Sequence, residues 1–159
     1  MRMNSPRSED VWQQVVAFVF AAADMKQAAA AAKALKGEQE GYLRHALETA
    51  IGTCYARPYG DNRGVGKIDK SKWAPVDDQQ RGSHKFLLHW RKKLYAHSDY
   101  TPLIRDAFHR GGNEFSAPWV GIDQDMLEPI QVMCEAQARR FREKASELHE
   151  SLSASESKS

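Results

Sequence analysis

Residues 8–35 read SEDVWQQVVAFVFAAADMKQAAAAAKAL. Ser8 is a good helix N-cap, Glu9 and Asp10 suit a first turn, and Val11, Val15, Phe18, Ala22 and Met25 recur at three- and four-residue steps. The stretch from Ala21 to Ala34 has the strongest intrinsic helix propensity in the chain, and Gly37 is a natural stop. One long helix is therefore predicted, with small side chains that let neighbouring helices pack closely. An apolar helix of this length needs partners to bury it, so the remaining sequence is read for helices that can pack against it.

A second helix is predicted from about Glu38 to Arg57, with Tyr42, Leu43, Leu47, Ala50, Ile51 and Cys54 as its apolar stripe and Pro58 at its end. The turn at Gly37 makes the two an antiparallel pair. From Pro58 to Pro75 the glycines Gly60, Gly64 and Gly66 and both prolines punctuate a polar segment, which reads as a long loop. Asp77 or Asp78 caps a third helix with Phe86, Leu87, Trp90 and Leu94 at helical spacing, running to about His97. Thr101 and Pro102 open a short helix to about His109, closed by Gly111 and Gly112, and Phe115 to Val120 is a weak extended segment. Asp123 opens a last helix lined by Met126, Leu127, Ile130, Met133, Cys134, Gln137 and Phe141, continuing to about His149. The expected fold is all-α: an up-and-down four-helix bundle over residues 1–150, with one extra short helix, at most a minor β element, and a disordered tail over 151–159.

At 159 residues, 42 % hydrophobic and 28 % charged, the chain fits one soluble domain with an ordinary apolar core. Lys and Arg number 23 against 21 Asp and Glu, a net charge of +2, so binding to a polyanion would need a local patch. Cys54 and Cys134 lack metal-type or redox spacing and read as buried thiols of a reducing compartment. Arg2 and Arg7 precede the apolar run Val15 to Ala23, but Glu9, Asp10, Gln13 and Gln14 intervene, and the helical pattern continues to Leu35. That argues against a signal peptide and for a cytoplasmic protein.

Gly60 to Ile68 imitates a phosphate-binding P-loop and fails it. Five residues separate Gly60 from Gly66, Ile68 replaces the Ser or Thr, and a helix precedes the loop where a strand is required. None of the six histidines has the His-x-x-x-His spacing of a helical zinc site, so no metal or cofactor is expected. A Ser/His/Asp hydrolase would need a central strand that the chain lacks.

The segment Arg81 to His97 carries Arg81, Lys85, Arg91, Lys92 and Lys93 with no acidic residue. This is one concentrated positive stripe, and an anion is its natural partner. Arg91 precedes His97 by about 9 Å of helical rise and roughly 120° of rotation, a gap that a guanidinium can cover. A fixed cation and a titratable imidazole over one phosphate suit a phosphodiester.

The run Arg91-Lys92-Lys93-Leu94-Tyr95-Ala96-His97, followed by Ser98 and Asp99, resembles the Arg-x(4 to 6)-His signature of the HEPN superfamily (higher eukaryotes and prokaryotes nucleotide-binding), especially its abortive-infection type. Cys54-Tyr55-Ala56-Arg57-Pro58-Tyr59-Gly60 also resembles that type. The likeness implies a four-helix bundle, usually dimeric, that acts in many members as a metal-independent endoribonuclease of defence or toxin-antitoxin systems. On that reading His97 is the general base on the ribose 2′-hydroxyl and Arg91 neutralises charge on the phosphorane, giving a 2′,3′-cyclic phosphate. Asp99 would orient the imidazole. Lys92, Arg57, Lys85 and Lys93 would hold flanking RNA phosphates, with a homodimer sharing the cleft. Tyr100 lies near the place of a tyrosine that, in HEPN toxins paired with a minimal nucleotidyltransferase, accepts nucleotidyl groups, although the usual spacing there is His-x-Tyr and this chain has His97-Ser98-Asp99-Tyr100. An antitoxin or nucleotidyltransferase is thus a further expected partner. Lys92 stands where the family commonly has Asn, Asp or His after the arginine. The alternative is therefore a non-catalytic module that binds RNA, a nucleotide or an acidic protein.

Overall fold

The computed structural model describes residues 6–38, 41–60, 68–95 and 121–156. Among these, α1 is Pro6–Leu35, α2 Tyr42–Ala56, α3 Lys70–Trp73, α4 Asp78–Tyr95 and α5 Gln124–Glu156, with a 3-10 turn at Arg57–Tyr59 and no strand. The expected all-α helical bundle is the observed architecture. The short helix predicted at Thr101 to His109 and the extended segment Phe115 to Val120 lie outside the described residues.

Helix ends differ from the sequence reading for identifiable reasons. α1 starts at Pro6, two residues before Ser8, because a proline at the first helical position has no N–H to leave unpaired and a φ already suited to the helix. α2 starts at Tyr42, not Glu38: Gly41 precedes it with φ 101°, a conformation that a side chain would strain. Tyr42 and Leu43, assigned above to the apolar stripe, are 94 % and 56 % exposed, and the buried row begins further along with Glu48, Ile51, Cys54 and Tyr55. Asp77 is the cap of α4, its carboxylate accepting from the N–H groups of Gln79 at 2.8 Å and Gln80 at 3.1 Å.

Two segments are more ordered than their composition suggested. The stretch read as a loop contains the 3-10 turn and α3, whose Trp73 packs edge-on against Phe18 with ring centroids 4.8 Å apart. The helix α3 is started by Asp69, which accepts from the Ser71 N–H and hydroxyl at 2.9 and 2.7 Å; these bonds hold its carboxyl below the ordinary range. The expected tail is α-helical as far as Glu156. Leu152 is buried there, and Ser151 and Ser155 donate to carbonyls three residues back.

Chain direction follows from the pairings. Cys54 and Arg57 of the second hairpin limb meet Gln27 and Asp24, so α1 and the α2 segment are antiparallel, as the turn at Gly37 predicted. Phe18 meets Phe141 and Trp12 meets His149, so α5 is antiparallel to α1 as well. The core is built on α5, where Leu127, Ile130, Met133, Cys134 and Phe141 are fully enclosed against the small side chains of α1. Both cysteines are buried, as expected.

A buried carboxylate ties two helix starts together. Glu48 accepts from the Ile122 N–H at 2.9 Å and pairs with Arg44 at 3.0 Å, while Arg44 donates to the carbonyls of Ile122 and Glu38. Gly121 is required beside it, because a Cβ there would stand 2.9 Å from the Glu48 carboxylate. Among the described helices only α1 is long and apolar enough to cross a bilayer, and 61 % of that apolar window is buried within the bundle.

Candidate functional site

The arginine of the sequence signature is placed by two neighbouring pieces of chain. Pro58 brings the α2 spiral to an end in a tight 3-10 turn, closed by Gly60 N–H donating to the Arg57 carbonyl at 3.0 Å. Arg91, from the last turn and a half of α4, lays its guanidinium against this turn. A Cβ on Gly60 would sit 3.5 Å from Arg91 Nη1 and 3.3 Å from the Arg57 carbonyl. A side chain at Gly60 would press on the Arg57 carbonyl, while its contact with the guanidinium would be an ordinary van der Waals one. Two segments linked in the sequence only by resemblance, Arg57–Gly60 and Arg91, are thus brought together in space.

Arg57 itself is committed to a partner. Its Nη1 donates to Asp24 Oδ1 at 2.6 Å, with the arginine side chain half exposed and the aspartate nearly enclosed. Burial raises the Asp24 carboxyl above its ordinary range, and the adjacent guanidinium only partly offsets this. Lys85 and Lys92 are exposed and seven residues apart on α4, so they share a face with Arg81 and His89, which are also exposed. Arg81 is tied to the helix start through Asp78 at 3.1 Å and the Pro75 carbonyl at 3.4 Å. Trp90 faces the opposite way and is buried. Lys93 belongs to α4, but its side chain lies outside the description, and His97, Asp99 and Tyr100 lie outside the described residues altogether.

Behind this face runs a buried polar network that the sequence reading missed. The Tyr55 hydroxyl is 2.7 Å from His84 Nδ1 and 3.4 Å from the Met133 sulfur. Gln137 donates to the Tyr59 hydroxyl and to the Trp73 carbonyl, each at 2.7 Å, and accepts from Arg140 at 2.9 Å. The Arg140 guanidinium also stacks over the Trp73 ring at 5.3 Å. Burial pushes both phenols up, Tyr59 to about 12, and lowers His84, with the Lys85 charge adding to that effect. The phenols and the imidazole are therefore held neutral at physiological pH. The one sequence signal for His84 is its spacing, since His84, Leu87 and Arg91 recur at three- and four-residue steps along one side of α4.

Compared with protein-family models, with curated proteins and with solved structures, the chain finds no match.

Proposed function

We propose that this chain is a metal-independent endoribonuclease of the cytoplasm, in which Arg91 and His97 act on one phosphodiester. The observation that supports this reading is the guanidinium of Arg91 set against the Arg57–Gly60 turn, at the edge of a helix face where Lys85 and Lys92 are exposed. His97 would take the proton of the ribose 2′-hydroxyl. The 2′-oxygen then bonds to phosphorus as the bond to the 5′-oxygen breaks, and the leaving 5′-oxygen takes a proton from water, leaving a 2′,3′-cyclic phosphate and a 5′-hydroxyl. Arg91 stabilises the negative charge that builds on the phosphoryl oxygens between these states. Asp99 orients the imidazole and Tyr100 is a candidate for modification. A homodimer is the expected working unit, with an antitoxin or nucleotidyltransferase as a regulatory partner.

A second reading is favoured by two particulars, Lys92 beside the motif arginine and the commitment of Arg57 to Asp24. Both suit a module that holds RNA, a nucleotide or an acidic protein without cutting. The deciding assay is cleavage of a mixed-sequence RNA in EDTA. The enzyme reading expects cyclic-phosphate ends from the natural chain and their loss in Arg91→Ala and in His97→Ala, each retaining its helical circular dichroism. Binding with no cleavage supports the module, and cleavage that requires a divalent ion removes the mechanism.

A further inference from the structure

α1 and α5 enclose a groove of about 510 Å³ whose lining separates charge from apolar surface. Its floor is Val15, Val19, Ala22 and Ala145, side chains too short to fill the furrow between the two helices. On α1 the lining runs from Val15 to Lys26, about 16 Å of helical rise, and on α5 from Arg142 to Glu150, about 12 Å. The two ends differ. Helical side chains lean toward the N-terminus of their own helix. The helices are antiparallel with Phe18 against Phe141, so Lys26 leans back over Ala22 and Arg142 leans to the same level from the other side. Among the described residues neither Lys26 nor Arg142 has a hydrogen bond or an ion pair. Two cations thus stand at one end of the groove with no carboxylate between them. At the other end Trp12 packs edge-on against His149, ring centroids 5.6 Å apart, and Glu150 lies beside them.

We propose that this groove binds a single-headed amphiphilic anion, a monocarboxylate on an unbranched alkyl chain. Its head lies between Lys26 and Arg142, and its chain runs over Val15, Val19 and Ala145 toward Trp12. Charge complementarity sets the head, because two unpaired cations converge where a carboxylate can accept from both. Glu150 sets the other end, since its carboxylate repels a second anionic group there. A dicarboxylate therefore does not match the lining, and neither does an RNA strand, which carries a phosphate at every residue. An inorganic anion would leave the apolar floor unused. A partner helix would need apolar anchors on both lips of the groove, whereas the α5 lip consists of Arg142, Ser146, His149 and Glu150. A bilayer fits less well than one molecule, because the apolar surface is the floor of a furrow and its α5 lip is polar. The volume lies within the roughly 300–1,000 Å³ common for small-molecule sites, which are concave and apolar with a few placed polar groups.

This inference does not rest on the ribonuclease reading, and its test uses no RNA. Decanoate, decanedioate and decyltrimethylammonium, which share one chain length and differ only in their heads, are titrated into the full chain by calorimetry at low salt. Decanoate should bind one to one, and the other two should bind at least about tenfold more weakly. Replacing Lys26 and Arg142 together with glutamine should weaken decanoate by roughly tenfold, the worth of two exposed charge contacts. Val19 is 52 % exposed, so Val19→Glu should keep the helical circular dichroism while its charge on the floor abolishes binding. Glu150→Gln should raise the affinity for decanedioate toward that for decanoate, which fixes the orientation of the chain. No binding of decanoate at about 1 mM overturns the proposal, whether a segment of the same chain fills the groove or nothing does. So does binding that keeps its strength without Lys26 and Arg142, or equal binding of the cationic probe. Sedimentation with phosphatidylglycerol vesicles by a chain that ignores free decanoate would assign the groove to a lipid surface and reject the single-molecule site.

Discussion

His84 links the pH of the solution to the interior of the bundle. Its ring is half-buried, its Nδ1 is hydrogen-bonded to Tyr55, and burial together with Lys85 holds its pKa below the ordinary 6.5. The unfolded chain therefore takes up the proton first as pH falls. The stability contributed by neutral His84 is complete above about pH 6.5 and is lost as pH drops from there through the depressed folded value. One proton limits the slope to about 1.4 kcal/mol per pH unit, and solvent screening at a half-buried ring reduces it to a fraction of that. His84→Asn keeps a hydrogen-bonding group near the Nδ1 position and removes the titration. The difference between the two chains' urea midpoints should shrink or reverse between pH 7.5 and 5.5, and a constant difference would show that His84 is not the sensor. Residues of this kind were the least legible in the sequence. Glu48, His84 and Gln137 are polar side chains within amphipathic windows, where a polar residue ordinarily signals solvent. Only the positions of Ile122 N–H, Tyr55 and Trp73, far away in sequence, make their burial satisfied.

Elements were legible in proportion to how many inward positions each repeats. In α5 the row from Leu127 to Phe141 names the buried face correctly, since every inward position is apolar except Gln137. In α2 the first turn carries Tyr42 and Leu43 beyond the reach of its neighbours, so apolar character there did not mean burial. The helix α3 is four residues long, too short to show any period, and rests on the Asp69 cap and on Trp73 reaching the core. One feature of α5 runs against its own helix. Pro129 lies at the sixth position and is exposed, so it forfeits the hydrogen bond to the Asp125 carbonyl and crowds that oxygen, with no buried surface in return. Pro129→Ala restores the bond and a good helix former. Against a gain of up to about 3 kcal/mol stands roughly 0.4–1 kcal/mol, because proline also restricts the unfolded chain. The expected net is a stabilisation of about 1–2 kcal/mol, read as a higher urea midpoint at unchanged slope, and a lower midpoint would mean that the proline fixes a bend the packing needs.

For the whole molecule, the bundle could be read from periodicity, whereas the binding surface rests on local charge and on contacts between segments. A net charge of +2 gives little long-range attraction to a polyanion, so any affinity for RNA must come from counterions released at a few defined contacts. The sequence identified the positive segment, and the structure divides it. Arg81 is tied to its own helix start, Arg57 is paired with Asp24, and Lys85 and Lys92 remain exposed on one face of α4 near Arg91. If these two lysines each meet one phosphate of a single strand, replacing both with glutamine should lower the slope of log affinity against log salt by about 1.4, at roughly 0.7 per contact. Glutamine retains length and polarity, and both positions are exposed, so the helical spectrum should not change. The loss should be similar for RNAs of different sequence, because phosphate contacts position the strand without reading its bases. Fluorescence anisotropy with a labelled single-stranded RNA across 50 to 300 mM salt measures this directly. An unchanged slope would move the RNA off this face of α4, whether or not the chain cuts it. A reduced slope with intact cleavage would place the lysines on the flanking strand and leave Arg91 and His97 to the scissile phosphate.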